Sequence, residues 1–171
     1  MTTEQIEASD RVRSYLKHQG GKSPQAIREL VVKGHAQLLD RIDGLSEEQA
    51  TFKPEPDVWS VVEVLQHAAP AKRWVADLCG TLARGATPER GGGNTTYASL
   101  AEARSALEAA QLELLAFSDG LSPDANVEAR FEHSFFGELN CREWAAFQRV
   151  HDGDHAEQID QVRAAPGFPA A

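Results

Sequence analysis

Two histidines four residues apart, in His151-Asp152-Gly153-Asp154-His155, are the side chains here best suited by type and spacing to do chemistry. On an α-helix such a pair shares one face, roughly 5–6 Å between Cβ atoms, and two imidazoles so placed converge on a single metal ion. Trp144, Phe147, Val150, Ile159 and Val162 recur around them near a 3.6-residue period, so this face is expected to point into a core. Buried imidazoles need partners for their ring nitrogens. A shared ion supplies them, and two separately hydrogen-bonded core histidines are the alternative.

A third ligand is expected from the inward stripe of a facing helix. His67 qualifies, on a face with Val64, Ala71, Trp74 and Leu78. Glu63, one turn earlier, is expected to orient the His67 ring and to be the catalytic carboxylate of the site, with Asp154 a weaker candidate. Three neutral imidazoles leave a coordination position open, as in catalytic rather than structural centres. Nitrogen-only ligation suits zinc or nickel, with iron and manganese less favoured. His35 and His133 are expected to pack in apolar surroundings and His18 to lie on the surface. Cys79 and Cys141 are distant in sequence from the motif histidines, and no Ser-His-Asp arrangement competes.

The elements that must position these residues are legible from their ends. Ser23-Pro24 is a helix start with proline at the first position. Ser60/Glu63, Ser99/Glu102 and Asn140/Glu143 have capping-box spacing. Gly44, Gly85 and Gly120 follow periodic segments as stop glycines, and Pro166 closes the last. Four long helices are predicted at about 24–43, 60–84, 99–118 and 140–164, with a helical turn at about 46–51. Pro70 should kink the second long helix by removing the bond to the Gln66 carbonyl. Gly153 should weaken the fourth by about 1 kcal/mol relative to alanine. The glycine-rich stretch 85–98 reads as a flexible connection, and the period-two alternation over 127–135 as extended chain, a small hairpin or an arm laid over the bundle.

The expected fold is all-α: a four-helix bundle over residues 23–165, preceded by an appendage helix and linker over 1–22 and followed by a tail over 166–171. A chain of 171 residues with two cysteines needs no disulfide, and its formal charge of −9 gives no electrostatic reason to bind nucleic acid. Without a signal-like N-terminus or a membrane-length apolar run, a cytoplasmic protein with no membrane partner is expected.

Trp59-Ser60-Val61-Val62-Glu63-Val64-Leu65-Gln66-His67 resembles the opening of the second helix in the DinB/YfiT superfamily, and Phe136-Gly137-Glu138-Leu139, Trp144 and His151-x-x-x-His155-x-x-Gln158-Ile159 are similar to that family's approach to its last helix. The resemblance spans about residues 24–162. It implies a DinB-like bundle, commonly homodimeric, holding a divalent metal through His67, His151 and His155. It also implies a small-molecule substrate and, by likeness to bacillithiol transferases and the mycothiol-dependent maleylpyruvate isomerase, a reaction through a low-molecular-weight thiol. A metal-dependent hydrolase and a non-catalytic, stress-related binding bundle are the alternatives.

Overall fold

The computed structural model describes residues 3–170. The chain runs α1 (Thr3–Gly20), α2 (Pro24–Ile42), α3 (Glu47–Thr51), α4 (Val61–Ala83), α5 (Leu100–Asp119), β1 (Phe131–His133), β2 (Gly137–Leu139) and α6 (Cys141–Ala164). Helices α2, α4, α5 and α6 form the bundle, and α1 packs along α6. The four long helices begin and end within a residue of the sequence expectation.

The capping residues do what their spacing promised, with one variation. Ser60/Glu63 and Asn140/Glu143 are complete boxes, in which each side chain satisfies a backbone N–H at the other end. At α5, Ser99 accepts from the Glu102 N–H, but the Glu102 carboxylate reaches past the cap to the Ala98 N–H. Glu47 holds the Leu100 N–H from the neighbouring α3. Gly44 and Gly85 take positive φ after their helices, whereas Gly120 caps α5 at φ −86°.

The core is two apolar clusters with a polar layer between them. One cluster gathers Leu16, Val31, Val75, Leu78, Leu114 and Trp144. The other gathers Leu38, Leu65, Leu100, Leu107, Ile159 and Val162. Between them, on the same helix faces, stand His35, Lys72, Gln111, Gln148 and Asp152. Helices α2 and α6 approach closely at Gly34, where a Cβ would lie 3.1 Å from both the Arg149 Cα and Asp152 Oδ2.

Three segments outside the four long helices pack on the bundle. The appendage helix buries Leu16 completely against its own chain. The 127–137 arm is an antiparallel hairpin pairing Phe131 with Leu139 and His133 with Gly137. Residues after α6 fold back: Gln49 Nε2 donates to the Pro169 carbonyl, and Phe168 meets Phe52 edge to face. Among the described residues no helix is long and apolar enough to cross a membrane.

Candidate metal centre

Helices α4 and α6 face each other so that one ligand atom from each of His67, His151 and His155 lies within 4.8 Å of the others. His151 and His155 are one turn apart on α6, and their Nε2 atoms are separated by 3.2 Å. Two nitrogens bound tetrahedrally at the zinc distance would sit about 3.4 Å apart, so the spacing fits a single ion. The surroundings fit as well. His67 Nδ1 lies 3.1 Å from Asn94 Oδ1, and His155 Nδ1 lies 3.1 Å from Gln158 Oε1. Each oxygen can only accept, so each Nδ1 carries the proton and each Nε2 presents its lone pair.

Burial favours the neutral form of the two α6 imidazoles. The His151 pKa is pushed well below its ordinary value by burial first, and then by the charges of His155, His67, Lys72 and His133. His155 is lowered chiefly by burial, with Gln158 opposing. A neutral imidazole is the ligating form. His151 Nδ1 faces the Gln148 amide N–H at 3.4 Å, so the proton of the neutral ring sits on Nε2, 3.2 Å from the His155 Nε2 lone pair. A divalent cation held by all three rings would take the place of that proton.

Asn94 was not anticipated, and its placement depends on Pro70. Proline has no N–H to give the Gln66 carbonyl, yet α4 runs unbroken past it. The freed carbonyl accepts instead from the Thr95 N–H at 2.9 Å. That bond lands the 85–98 segment on α4 one residue from His67, with Asn94 against the ring. Trp74 Nε1 donates to the Glu89 carbonyl at 3.0 Å, and a Cβ on Gly91 would sit 2.5 Å from Trp74 Cδ1. The expected flexible connection is therefore a strap fastened at three points.

Glu63 does not orient His67. One carboxylate oxygen accepts from the Ser60 N–H at 2.7 Å and the other from Lys53 Nζ at 2.9 Å. The backbone bond at the cap, ahead of Lys53, holds its pKa below the usual carboxylate range. The helix-start geometry that made Glu63 easy to find in the sequence turns its carboxylate back to the first turn, and Asn94 takes the orienting part. Asp154 is exposed. Gly153 sits within an unbroken α6.

His35 joins a different cluster. Lys72 Nζ contacts His35 Nδ1 at 3.2 Å, Gln111 Oε1 at 3.1 Å and Asp152 Oδ2 at 2.9 Å. Gln148 Nε2 donates to Asp152 Oδ1 at 2.7 Å and lies 3.4 Å from His151 Nδ1. Lys72, Asp152 and Gln148 have no exposed surface. This network backs the α6 ligand pair from inside the bundle. Its signal was present in the sequence: Lys72 interrupts the apolar series Leu65, Ala68, Val75, Cys79, and Gln148 and Asp152 interrupt Ala145, Ile159.

Beside the triad is a cavity of about 280 Å³, lined by His67, His151, Trp74, Trp144, Phe147 and His133, with Arg90 and Glu132 at its edge. Strap, hairpin and both ligand helices contribute to it. Cys79 and Cys141 are buried away from it, and burial pushes both thiols up in pKa.

A family model of the DinB superfamily matches residues 30–159. Among solved structures, the crystal structure of TT2238, a four-helix bundle protein, is similar at 21% identity with a TM-score of 0.65, covering 81% of this chain and 99% of that one. No curated protein matches.

Proposed function

This chain belongs to the DinB superfamily, and on that premise we propose that it is a divalent-metal-dependent enzyme acting through a low-molecular-weight thiol, of the S-transferase or isomerase type. The observation that carries the reading is the convergence of three imidazole ligand atoms, two of them with Nδ1 held by a side-chain carbonyl oxygen. A divalent ion there supplies acidity, making an anionic nucleophile from a bound thiol or water near neutral pH. The chain's own residues do the rest. Asn94 and Gln158 fix the tautomers of two ligands, Trp74, Trp144 and Phe147 line the cavity beside them with aromatic surface, and the protein offers no accessible thiol of its own. The nucleophile therefore comes from outside. Zinc or nickel suits the all-nitrogen donor set.

Elemental analysis after purification without a histidine tag is expected to find about one ion per chain, and His155→Ala is expected to abolish stoichiometric binding. Equal metal content in the two proteins would remove the assignment. Metal-replete protein is then given electrophilic acceptors with glutathione, bacillithiol or mycothiol. Turnover without thiol on ester or amide substrates, lost in the variant, would replace the transferase reading with a hydrolase. A metal-loaded protein inert in every assay would leave a binding bundle. Homodimerisation is part of the same proposal and rests on the family resemblance. A monomer mass by light scattering at micromolar concentration would remove it.

A further inference from the structure

The fourth histidine at the cavity, His133, is held in one tautomer by its own hairpin. Its Nδ1 accepts the Phe135 N–H at 3.2 Å, so the ring proton must sit on Nε2. The ring stacks on Phe136, with centroids 4.6 Å apart and planes 18° apart, and it meets Phe147 edge-on at 4.6 Å and Trp144 at 5.2 Å. Three aromatic neighbours fix its plane. Burial lowers its pKa to about 4, so it stays a neutral donor at physiological pH. Among the described residues the Nε2–H has no hydrogen-bond partner, although the ring lines the same cavity as His67 and His151. This half-buried, oriented N–H opens on the cavity and is left for water or a bound molecule to accept.

The rest of the lining says what that something resembles. Trp74, Trp144, Phe147, Val75 and Ala71 present apolar and aromatic surface. Arg90 is paired with Glu132 at 3.5 Å and lies 5.4 Å over the Phe131 ring, so the edge carries no uncompensated charge. A volume of about 280 Å³ lies at the small end of ligand sites, which run from about 300 to 1,000 Å³. We propose that this cavity is the acceptor-substrate site and takes a flat, single-ring-sized apolar molecule bearing a carbonyl-type oxygen, which accepts the hydrogen bond from His133 Nε2–H. The proposal rests on the metal-dependent reading of the adjacent triad. It adds a substrate class, which the triad alone does not specify, and gives His133 the part of substrate-binding donor.

The test uses two nearly isosteric probes, acetophenone and ethylbenzene, which differ in the acceptor oxygen, with binding measured by ligand-observed NMR on zinc-loaded full-length protein. Wild type is expected to prefer acetophenone, and His133→Phe, which keeps the ring and removes the donor, is expected to cut that preference about tenfold, the effect of one net hydrogen bond. His133→Gln, which retains an N–H at similar reach, should restore part of it. A preference unchanged in His133→Phe would overturn the proposal. A second measurement does not depend on any variant folding: the carbonyl stretch of ¹³C-labelled acetophenone bound to wild type should fall below its value in an apolar solvent, and an unshifted band would overturn the proposal too. Zinc content is measured on every sample. Wild type that holds no zinc sinks the metal-dependent reading, whereas wild type that holds zinc but shows no acceptor preference sinks only the substrate assignment.

Discussion

Two polar clusters sit side by side in this helical core, the Lys72–Asp152 network and the histidine triad, and they are finished to different degrees. In the network donors meet acceptors: the Lys72 ammonium faces Asp152, Gln111 and His35, and Gln148 takes the other Asp152 oxygen. In the triad Asn94 and Gln158 each satisfy one ring nitrogen, of His67 and His155, and the nitrogens that face the centre have only one another. A buried polar group must be matched or it destabilises the fold. The network's charged groups are matched by the chain itself, with Gln148 Oε1 left without a partner, whereas the triad's facing nitrogens are better matched by a cation than by one another. The contrast separates a structural polar layer from a binding site more clearly than burial does, since the structural layer is the more buried of the two.

The largest effect should come from unmatching the network. Lys72→Met leaves Asp152 buried without a countercharge and should destabilise the protein by about 3–5 kcal/mol in urea unfolding. The double variant Lys72→Met/Asp152→Leu should recover most of that, because replacing both partners with apolar side chains removes the desolvation burden of both charges. If the double variant is no more stable than the single one, the network is not the matched unit described here.

Next in size is the outer support of the triad. Asn94→Ala should weaken metal affinity by about 10–100-fold while leaving urea stability of the metal-free protein nearly unchanged, with affinity read by competition against a chelator. Asn94→Asp, which retains the acceptor, should keep most of the affinity. An alanine variant with wild-type affinity would mean that the strap does not set the His67 tautomer.

Acid should act on both regions in one direction. His35 is lowered to about 4 by burial and then by Lys72, and His133 to about 4 by burial, against about 6.5 in an unfolded chain. Between these values the unfolded state binds more protons, so stability rises with pH across that window. Unfolding free energy should therefore fall as pH drops from about 6.5 towards 4, and these two groups should contribute no further slope below it. His151 and His155, lowered in the same direction by burial, add to that slope, so a His35→Asn/His133→Phe double variant should show a shallower profile across the window, and an unchanged slope would take this pair out of it.

The smallest expected change is local. Pro70→Ala returns an N–H that competes with Thr95 for the Gln66 carbonyl. Faster hydrogen exchange at the Thr95 amide is expected, with a loss of metal affinity smaller than that of Asn94→Ala. Exchange at Thr95 as slow as in wild type would show that the strap is held by Trp74 and Asn94 without that bond.

Much of the fold and part of the site can be read from local sequence, and particular residues show where that stops. Helix ends were legible because Ser60/Glu63 and Asn140/Glu143 close their hydrogen bonds within one turn. The same locality sets a limit at Glu63, which stands one turn from His67 in sequence while its carboxylate turns back to the Ser60 N–H and Lys53. Pro70 predicts only a kink from local sequence, because the donor that takes up the freed carbonyl, Thr95, lies 25 residues further along the chain.

What the sequence by itself determined is whatever rests on short-range periodicity: the four amphipathic helices, the i, i+4 pairing of His151 with His155, and the presence of His67 on an inward stripe. Matching side chains across elements was decided only by tertiary structure. Asn94 reaches His67 because the strap docks on a carbonyl freed by proline, Lys72 meets Asp152 because α4 and α6 face each other across the bundle, and His133 lines the cavity because the hairpin folds against α6. Hydrogen bonds and ion pairs are short-ranged and directional, so a pairing between distant residues has no local periodicity to announce it. It exists only once the apolar faces have packed and brought the helices into register.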